Sequence, residues 1–202
     1  MKKYLFITMA AVVAAAIVSC NPDNEVNGGD ETPTVKVFET TDATTVCINE
    51  MNGNDNYKGI ELYNPTDAEV SLVGWKIVKN NEEALYWEGV DGDKIAAKGY
   101  FVIKANKKTA EIDAVANAMG TGGLSAAKIV KLDLLNGSII VDTFDRGFTA
   151  LYDGVNETAL PAMEGSAARV EDGKKTWKVM TATFGATNKG AQVIGEVTVD
   201  PE

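Results

Sequence analysis

Short apolar runs separated by polar turn residues follow one another along most of the chain. Several runs alternate apolar and polar residues at period two, as Trp75 and Ile77 do, which is typical of strands with one buried face. The pattern predicts strands at residues 34–38, 44–50, 59–63, 71–73, 75–79, 84–88, 100–104, 128–134, 138–144, 167–170 and 176–180. Many short strands at this spacing predict an all-β sandwich or barrel rather than βαβ units.

Turn residues indicate how neighbouring strands connect. The Asn- and Gly-rich cluster at residues 52–56 predicts the turn that pairs the strands on either side of it, because Asn and Gly tolerate positive φ. Asn136-Gly137 predicts a second hairpin, closed by a type I′ turn with both residues at its centre. One segment departs from the strand pattern. Thr109 is expected to cap a short alanine-rich helix over residues 110–119, which Gly120 would end.

Three motifs in the first half of the chain resemble the opening of the lamin tail domain in its bacterial form. They are Ile48-Asn49-Glu50, Ile60-Glu61-Leu62-Tyr63-Asn64-Pro65 and Leu72-Val73-Gly74-Trp75. The resemblance continues to residue 190 through segments 98–103, 123–125, 141–144, 165–169, Trp177 and 184–188. Phe184 stands where the family usually has proline. The resemblance implies a compact immunoglobulin-like β-sandwich.

The same motifs single out residues whose expected role is structural. These are Asn49, Glu50, Glu61, Tyr63, Asn64, Trp75, Arg169 and Trp177. Glu61 and Arg169 both fall in well-matched motifs. Because a planar guanidinium pairs well with a carboxylate, we expect these two side chains to form an ion pair.

The first residues predict where the protein is located in the cell rather than a part of its fold. Lys2-Lys3 precede an apolar stretch at residues 4–17 that is short for a membrane span. Ile17-Val18-Ser19-Cys20 resembles a bacterial lipoprotein cleavage motif, which implies a signal peptide over residues 1–19 and a lipid on Cys20. Residues 20–34, acidic and poor in apolar side chains, predict a flexible tether. Residues 35–190 would then form the domain, and residues 191–202 a tail or an extra edge strand.

Acidic residues close to Cys20 refine this address. Asp23 and Glu25 loosely resemble the signals of Bacteroidetes-type lipoproteins. The resemblance favours an outer-membrane lipoprotein of the cell envelope, exposed at the cell surface. Membrane contact is therefore expected through the N-terminal lipid, since each buried acyl methylene contributes about 0.8 kcal/mol.

Charge and residue types exclude several functions. Without residues 1–19 the chain has 17 basic and 29 acidic residues, a net charge of −12, which disfavours nucleic acid as a partner. The chain has no histidine, so Ser-His-Asp and Cys-His nucleophile systems are impossible. Ser125 and Lys128 have the spacing of an acylation motif, but the companion triplets are absent. Cys47 would have no disulfide partner once Cys20 carries lipid, and is expected to be a small buried residue.

Two oxygen-rich loops are weak candidates for calcium. One contains Asn52, Asn54 and Asp55, and the other contains Asp91 and Asp93. Calcium prefers such oxygens, but neither loop completes the pattern of a helix–loop–helix calcium site. We therefore expect no cofactor and no metal, and no catalytic residue. The carboxylates of Glu50, Glu61 and Asp142 would serve a hydrolase only if two of them faced each other in a cleft.

These patterns favour a non-catalytic, lipid-anchored interaction or scaffold module of the cell envelope, which binds an unknown protein or glycan partner. The resemblance implies a role in protein contacts, because lamin tail domains make protein and chromatin contacts. The net charge of −12 argues against chromatin. Two alternatives stay open: a calcium-dependent adhesin, and an accessory or substrate-binding subunit of a secreted hydrolase.

Overall fold

The structure, a computed structural model, describes residues 40–106 and 111–199. The predicted signal peptide, lipidated Cys20, tether and first strand at 34–38 lie outside the described residues. The described chain forms thirteen strands and two very short helices. The strands are β1 (Cys47–Asn52), β2 (Gly59–Tyr63), β3 (Val70–Ser71), β4 (Trp75–Lys79), β5 (Leu85–Glu88), β6 (Lys94–Ile95), β7 (Tyr100–Lys104), β8 (Ala118–Met119), β9 (Val130–Asn136), β10 (Ile139–Arg146), β11 (Ser166–Arg169), β12 (Trp177–Met180) and β13 (Val193–Gly195).

Two main sheets account for most of these strands. The larger has the order β13-β12-β11-β1-β2-β7-β8, and the smaller has the order β10-β9-β4-β5. A third pair, β3 with β6, stands apart. All pairings are antiparallel except that of β7 with β8. Strand β11 therefore lies between β12 and β1, although about 110 residues separate it from β1 along the chain.

The core lies where apolar side chains of both sheets pack together. The larger sheet contributes Ile48, Met51 and Leu62, and the smaller contributes Ile77 and Leu134, all fully buried. Trp75 and Trp177 are buried in the same cluster. Tight burial of alternate residues on facing sheets is the packing of a β-sandwich. The predicted all-β, immunoglobulin-like sandwich is confirmed.

The predicted helix over residues 110–119 is wrong. A 3₁₀ helix covers only Ile112–Ala114, and Ala118–Met119 form strand β8 beside β7. Ile112 is buried against Val102 and Phe184. Packing of this one apolar side chain outweighs the helix propensity of the surrounding alanines, which is small for so short a segment. The α-helix among residues 40–106 and 111–199 is the single turn Phe148–Leu151. No helix among the described residues is long and apolar enough to cross a membrane.

The hairpin at Asn136 forms, but its turn is displaced by one residue. Asn136 pairs with Ile139, so the central residues are Gly137 and Ser138. Gly137 has a φ of 62°, while Ser138 is not among the residues with positive φ. Positive φ at the first central position alone is the requirement of a type II′ turn. The predicted type I′ turn is therefore wrong, and Asn136 belongs to the strand.

The two ends of the sandwich differ in what they carry. We call the end where β1 begins the entry end, because residues 40–43 lie there beside the turn after β11: Ala43 donates to the Gly173 carbonyl at 2.7 Å. We call the opposite end, where the loop after β1 lies, the distal end. Strand β13 pairs with β12 at the edge of the larger sheet.

Candidate functional site

Polar residues from β1 and β2 form a buried cluster on the outer face of the larger sheet. A bulge in β1 causes this: Ile48 faces Leu62 and Glu50 faces Glu61, so that Asn49 is the extra residue. The bulge places the amide of Asn49 against the carboxylate of Glu61, with Nδ2 donating to Oε1 at 3.0 Å. Asn49, Glu50 and Glu61 are all fully buried.

Residues 181–188, after β12, cover this cluster and are held to it by carboxylates. Glu50 accepts hydrogen bonds from both the backbone N–H and the hydroxyl of Thr183, the latter at 2.8 Å. Glu61 accepts from the N–H of Gly185 at 2.6 Å. Phe184, between these two anchor points, packs on Val102 and Ile112. We call residues 181–188 the covering segment.

Asp172, in the turn after β11, completes the attachment. Its carboxylate accepts from the N–H of Asn188 at 3.0 Å, from the hydroxyl of Thr187, from Tyr100 Oη at 2.8 Å and from Asn49 Nδ2 at 3.0 Å. Although burial alone would raise its pKa, the hydrogen bonds from Asn188, Thr187 and Asn49 hold the pKa of Asp172 below its usual value.

Glu50 and Glu61 lack a cationic partner among the described residues. Burial raises the pKa of Glu50, against the hydrogen bonds from Ser166 and Thr183. Burial, together with the nearby charge of Glu50, raises the pKa of Glu61 well above its usual range. Ionising both carboxyl groups in one buried site costs free energy, because the two negative charges are poorly solvated and repel each other. The pair therefore retains a proton to higher pH than free glutamates do.

The predicted ion pair between Glu61 and Arg169 is wrong. Arg169 Nη2 donates to both carboxylate oxygens of Asp142, at 3.1 and 3.0 Å. Its other donors reach the carbonyls of Ile48, Thr41 and Lys174, and its guanidinium lies 5.0 Å from the centre of the Trp177 ring. Asp142 comes from β10 in the smaller sheet, so the pair connects the two sheets. Burial raises the pKa of Asp142 although the charge of Arg169 opposes this.

The other residues singled out by the resemblance also serve the fold. Asn64 donates to the carbonyls of Ala68 and Ala96, at 2.8 and 3.0 Å, and so holds the turn after β2. The rings of Tyr63 and Tyr100 lie 5.3 Å apart. The free thiol of Cys47 is buried, and burial raises its pKa to about 12, which makes it a poor nucleophile in the folded chain.

The calcium candidates divide between the two ends of the molecule. In the first loop Asn52 donates to Ser166 Oγ at 2.8 Å, Asn54 donates to the carbonyl of Met163, and Asp55 pairs with Lys58. In the second, Asp93 accepts from the N–H of Val90 at 3.0 Å. In the described ranges, no group of three acidic or cysteine side chains is arranged to hold a metal ion.

The first loop instead borders a cleft of about 420 Å³ at the distal end. Asn54, Asp55, Asn56 and Tyr57 form one side of the cleft. The opposite side comes from later in the chain: Glu164, Gly165, Thr181, Ala182 and Ile194. Sequence reasoning missed this second side, because only the pairing of β13 with β12 brings Ile194 near Gly165. The cleft combines amides, carboxylates and one aromatic ring with a small apolar surface.

Fold and site together define an all-β sandwich domain whose buried polar residues connect its own segments. A family model described as the Lamin Tail Domain matches residues 39–158. The chain belongs to the lamin tail domain family. The match ends before β11, so the covering segment and the last three strands lie beyond it. A comparison with curated proteins found no match.

Proposed function

We propose that this chain is a non-catalytic, lipid-anchored binding module of the bacterial cell envelope, which presents the distal end of its sandwich to a protein or glycan partner. The proposal rests on how the fold uses its buried and half-buried carboxylates. Glu50, Glu61, Asp142 and Asp172 each accept hydrogen bonds from the chain's own backbone or side chains. These acids are therefore occupied by the fold and are not presented to a substrate.

The anchor is supported by the sequence before the domain. A basic pair, an apolar stretch and Cys20 after small residues are the pattern of a bacterial lipoprotein. Several acyl chains on one cysteine hold a protein on a bilayer far more firmly than one chain does. An outer-membrane location with the domain at the cell surface agrees with Asp23 and Glu25 beside that cysteine.

The binding role is supported by the distal cleft. It lies at the end of β1 opposite to residues 40–43, the first described residues of the chain. The amide of Asn56 and the carboxylate of Glu164 offer hydrogen bonds, and Tyr57 and Ile194 offer apolar surface. Concave sites with a few polar groups on an apolar wall suit sugar hydroxyls or a peptide side chain.

Protease treatment of intact cells tests the address. We expect cleavage between Cys20 and the domain to release the domain from the cells, and a Cys20→Ala variant to leave the membrane fraction without any protease. Protection of the domain in intact cells, followed by cleavage after lysis, would place it in the periplasm instead.

A filled cleft tests the binding role. The lipoprotein is screened against surface glycans and purified envelope proteins, and each ligand found is measured again with Asn56→Trp, which fills the cleft, and with Val155→Trp, an exposed position outside it. We expect Asn56→Trp to weaken binding at least roughly tenfold, the cost of losing a small contact surface, and Val155→Trp to leave it unchanged. Equal affinity of both variants would remove the cleft from the proposal.

A further inference from the structure

Exposed apolar side chains gather at the entry end of the smaller sheet. Strand β4 begins, β5 ends, β9 ends and β10 begins at this end, as the pairs Trp75–Asn136, Lys76–Glu88 and Asn136–Ile139 require. Two loop residues beside these strand ends and the first two residues of β10 are large and apolar. Their exposed fractions are Val73 57%, Val90 62%, Ile139 68% and Ile140 55%. We call these four residues the apolar rim.

Backbone contacts place the members of the rim side by side. The N–H of Gly137 donates to the carbonyl of Gly74 at 3.0 Å, which brings the β9–β10 turn against the residue after Val73. The N–H of Gly89 donates to the carbonyl of Trp75 at 2.9 Å, and Gly89 packs against the backbone of Leu72, so that Val90 follows a residue in contact with the one before Val73. Contiguous exposed apolar patches on soluble domains commonly mark an interaction surface.

The rim lies at the same end as the start of the described chain. One guanidinium fixes this relation: Arg169 donates to the carbonyl of Thr41 at 3.2 Å and to the carboxylate of Asp142, three residues after Ile139. Between Thr40 and Cys20 there are only 19 residues, which as the flexible tether that the sequence predicts would span about 25 Å root-mean-square. A lipid on Cys20 would therefore keep the bilayer close to this end.

We propose that the apolar rim contacts the lipid bilayer, so that the domain rests on the membrane by its entry end with the distal cleft turned outward. This inference rests on the lipid anchor of the proposed function. The anchor makes the contact intramolecular, and a surface too small to bind membranes alone becomes occupied at the high effective concentration that a short connection gives. Large apolar side chains insert favourably at the interface between headgroups and acyl chains.

Charge favours a bilayer over a second copy as the occupant of the rim. The chain without residues 1–19 has a net charge of −12, so two copies repel each other at close approach. The rim itself consists of uncharged side chains. A membrane surface without excess negative charge is therefore the better match, and vesicles of a zwitterionic phospholipid are the appropriate probe.

Fluorescence quenching by lipid tests the orientation directly. The full lipidated chain is inserted into phosphatidylcholine vesicles that carry bromine on their acyl chains, with a thiol-reactive fluorophore at Ile139→Cys or, as the matched control, at Asn56→Cys on the distal cleft. Cys20 carries lipid, and Cys47 is buried with its pKa raised to about 12, so the introduced thiol is the one that reacts. We expect quenching at Ile139→Cys to exceed that at Asn56→Cys roughly threefold or more, and Val73→Asp to reduce the difference.

The outcomes separate this inference from the proposed function. Vesicle flotation of both labelled chains with equal, weak quenching at the two positions keeps the anchor and overturns the orientation. The fluorophore at Ile139→Cys could instead be shielded from solvent without bromine quenching, and only at high protein density. That result would assign the rim to contact with a second copy and would also overturn the proposed orientation. Chains that fail to float with vesicles refute the anchor and the inference with it.

Discussion

Two buried arginines, one at each end of the sandwich, have their positive charges stabilised by different partners. Arg169 faces a carboxylate, Asp142, in addition to three carbonyls. Arg146 meets only carbonyls among the described residues, those of Ala126, Lys128, Pro161 and Thr198. Both side chains are fully buried. Burial lowers the pKa of Arg146 to about 10, still high enough to keep it charged at neutral pH.

The difference shows that a buried cation can be stabilised either by a neutralising charge or by backbone dipoles alone. Arg169 connects the two sheets, because Asp142 belongs to the smaller sheet and Ile48 to the larger. Arg146 instead gathers irregular segments: its two shortest bonds, both 2.6 Å, reach the carbonyls of Ala126 and Pro161. We expect loss of Arg169 to weaken the contact between the two sheets, and loss of Arg146 to loosen the loops that it connects.

Removal of Arg169 should have the largest effect. Arg169→Met leaves the largely buried Asp142 carboxylate without its cation, and removing one partner of a buried ion pair costs about 3–5 kcal/mol. The free energy of unfolding is measured by urea titration with tryptophan fluorescence. Lys189→Met, which removes the long, exposed ion pair with Glu171, is the control and should change stability little. A loss at Arg169 no greater than the control would mean that Asp142 gains water when the cation goes.

Removal of Arg146 should cost less. Arg146→Met leaves carbonyl oxygens without a hydrogen-bond donor, but it leaves no unpaired charge. We therefore expect the free energy of unfolding to fall by about 2 kcal/mol, the cost of a few unsatisfied polar groups. The same urea titration measures it. Alkylation of Cys47 separates the two variants further: its thiol lies in β1 at the Arg169 end and should react faster in Arg169→Met than in Arg146→Met. Equal losses of unfolding free energy in the two variants would mean that the number of hydrogen bonds, and not the charge of the partner, sets the contribution of each arginine.

Asp142→Asn makes the surroundings of Arg169 resemble those of Arg146. The amide keeps the shape of the side chain and one acceptor, but it removes the charge and weakens the bonds to Ile48 N–H and to Arg169. We expect a loss of about 1–2 kcal/mol in the urea titration, because bonds to charged groups contribute more than neutral ones. A loss as large as that of Arg169→Met would show that dipoles cannot replace the carboxylate at this end.

Glu50 and Glu61, beneath the covering segment, are buried acids without a cationic partner among the described residues, and they should make stability depend on pH. The pKa of Glu61 in the folded chain lies well above its ordinary value of 4.5, so the folded chain holds a proton that the unfolded chain has released. The free energy of unfolding should therefore fall as pH rises from 4.5 towards the folded pKa, by at most about 1.4 kcal/mol per pH unit for one proton.

Glu61→Gln should flatten this pH dependence, because the amide binds no proton in either state. Urea titrations at several pH values measure the slope, and Asn56→Ala, which touches neither glutamate, should keep the native slope. A native slope in Glu61→Gln would show that the proton resides on Glu50 or that the pair is hydrated.

Local patterns in the sequence were enough for the longer described strands and for the β1–β2 pairing, but not for the two-residue strands β6 and β8, since alternation and turn residues act over a few neighbours. They failed where one residue of register decides the outcome, as at Gly137, and where one buried side chain, Ile112, overrides alanine propensity. They also chose the wrong partner for Arg169. Asp142 lies 27 residues away along the chain, and the choice between it and Glu61 depends on which sheets face each other.

The position of β11 has a consequence for how this protein is made. Glu50 is directly opposite Ala168, so the centre of the larger sheet closes only after most of the chain has been synthesised. Pairings between residues so distant in sequence form slowly, because loop closure must precede the gain from contact. Until then β1 has one unpaired edge. Truncation before Ser166 would keep the whole segment matched by the family model yet leave β1 as an open edge prone to aggregation.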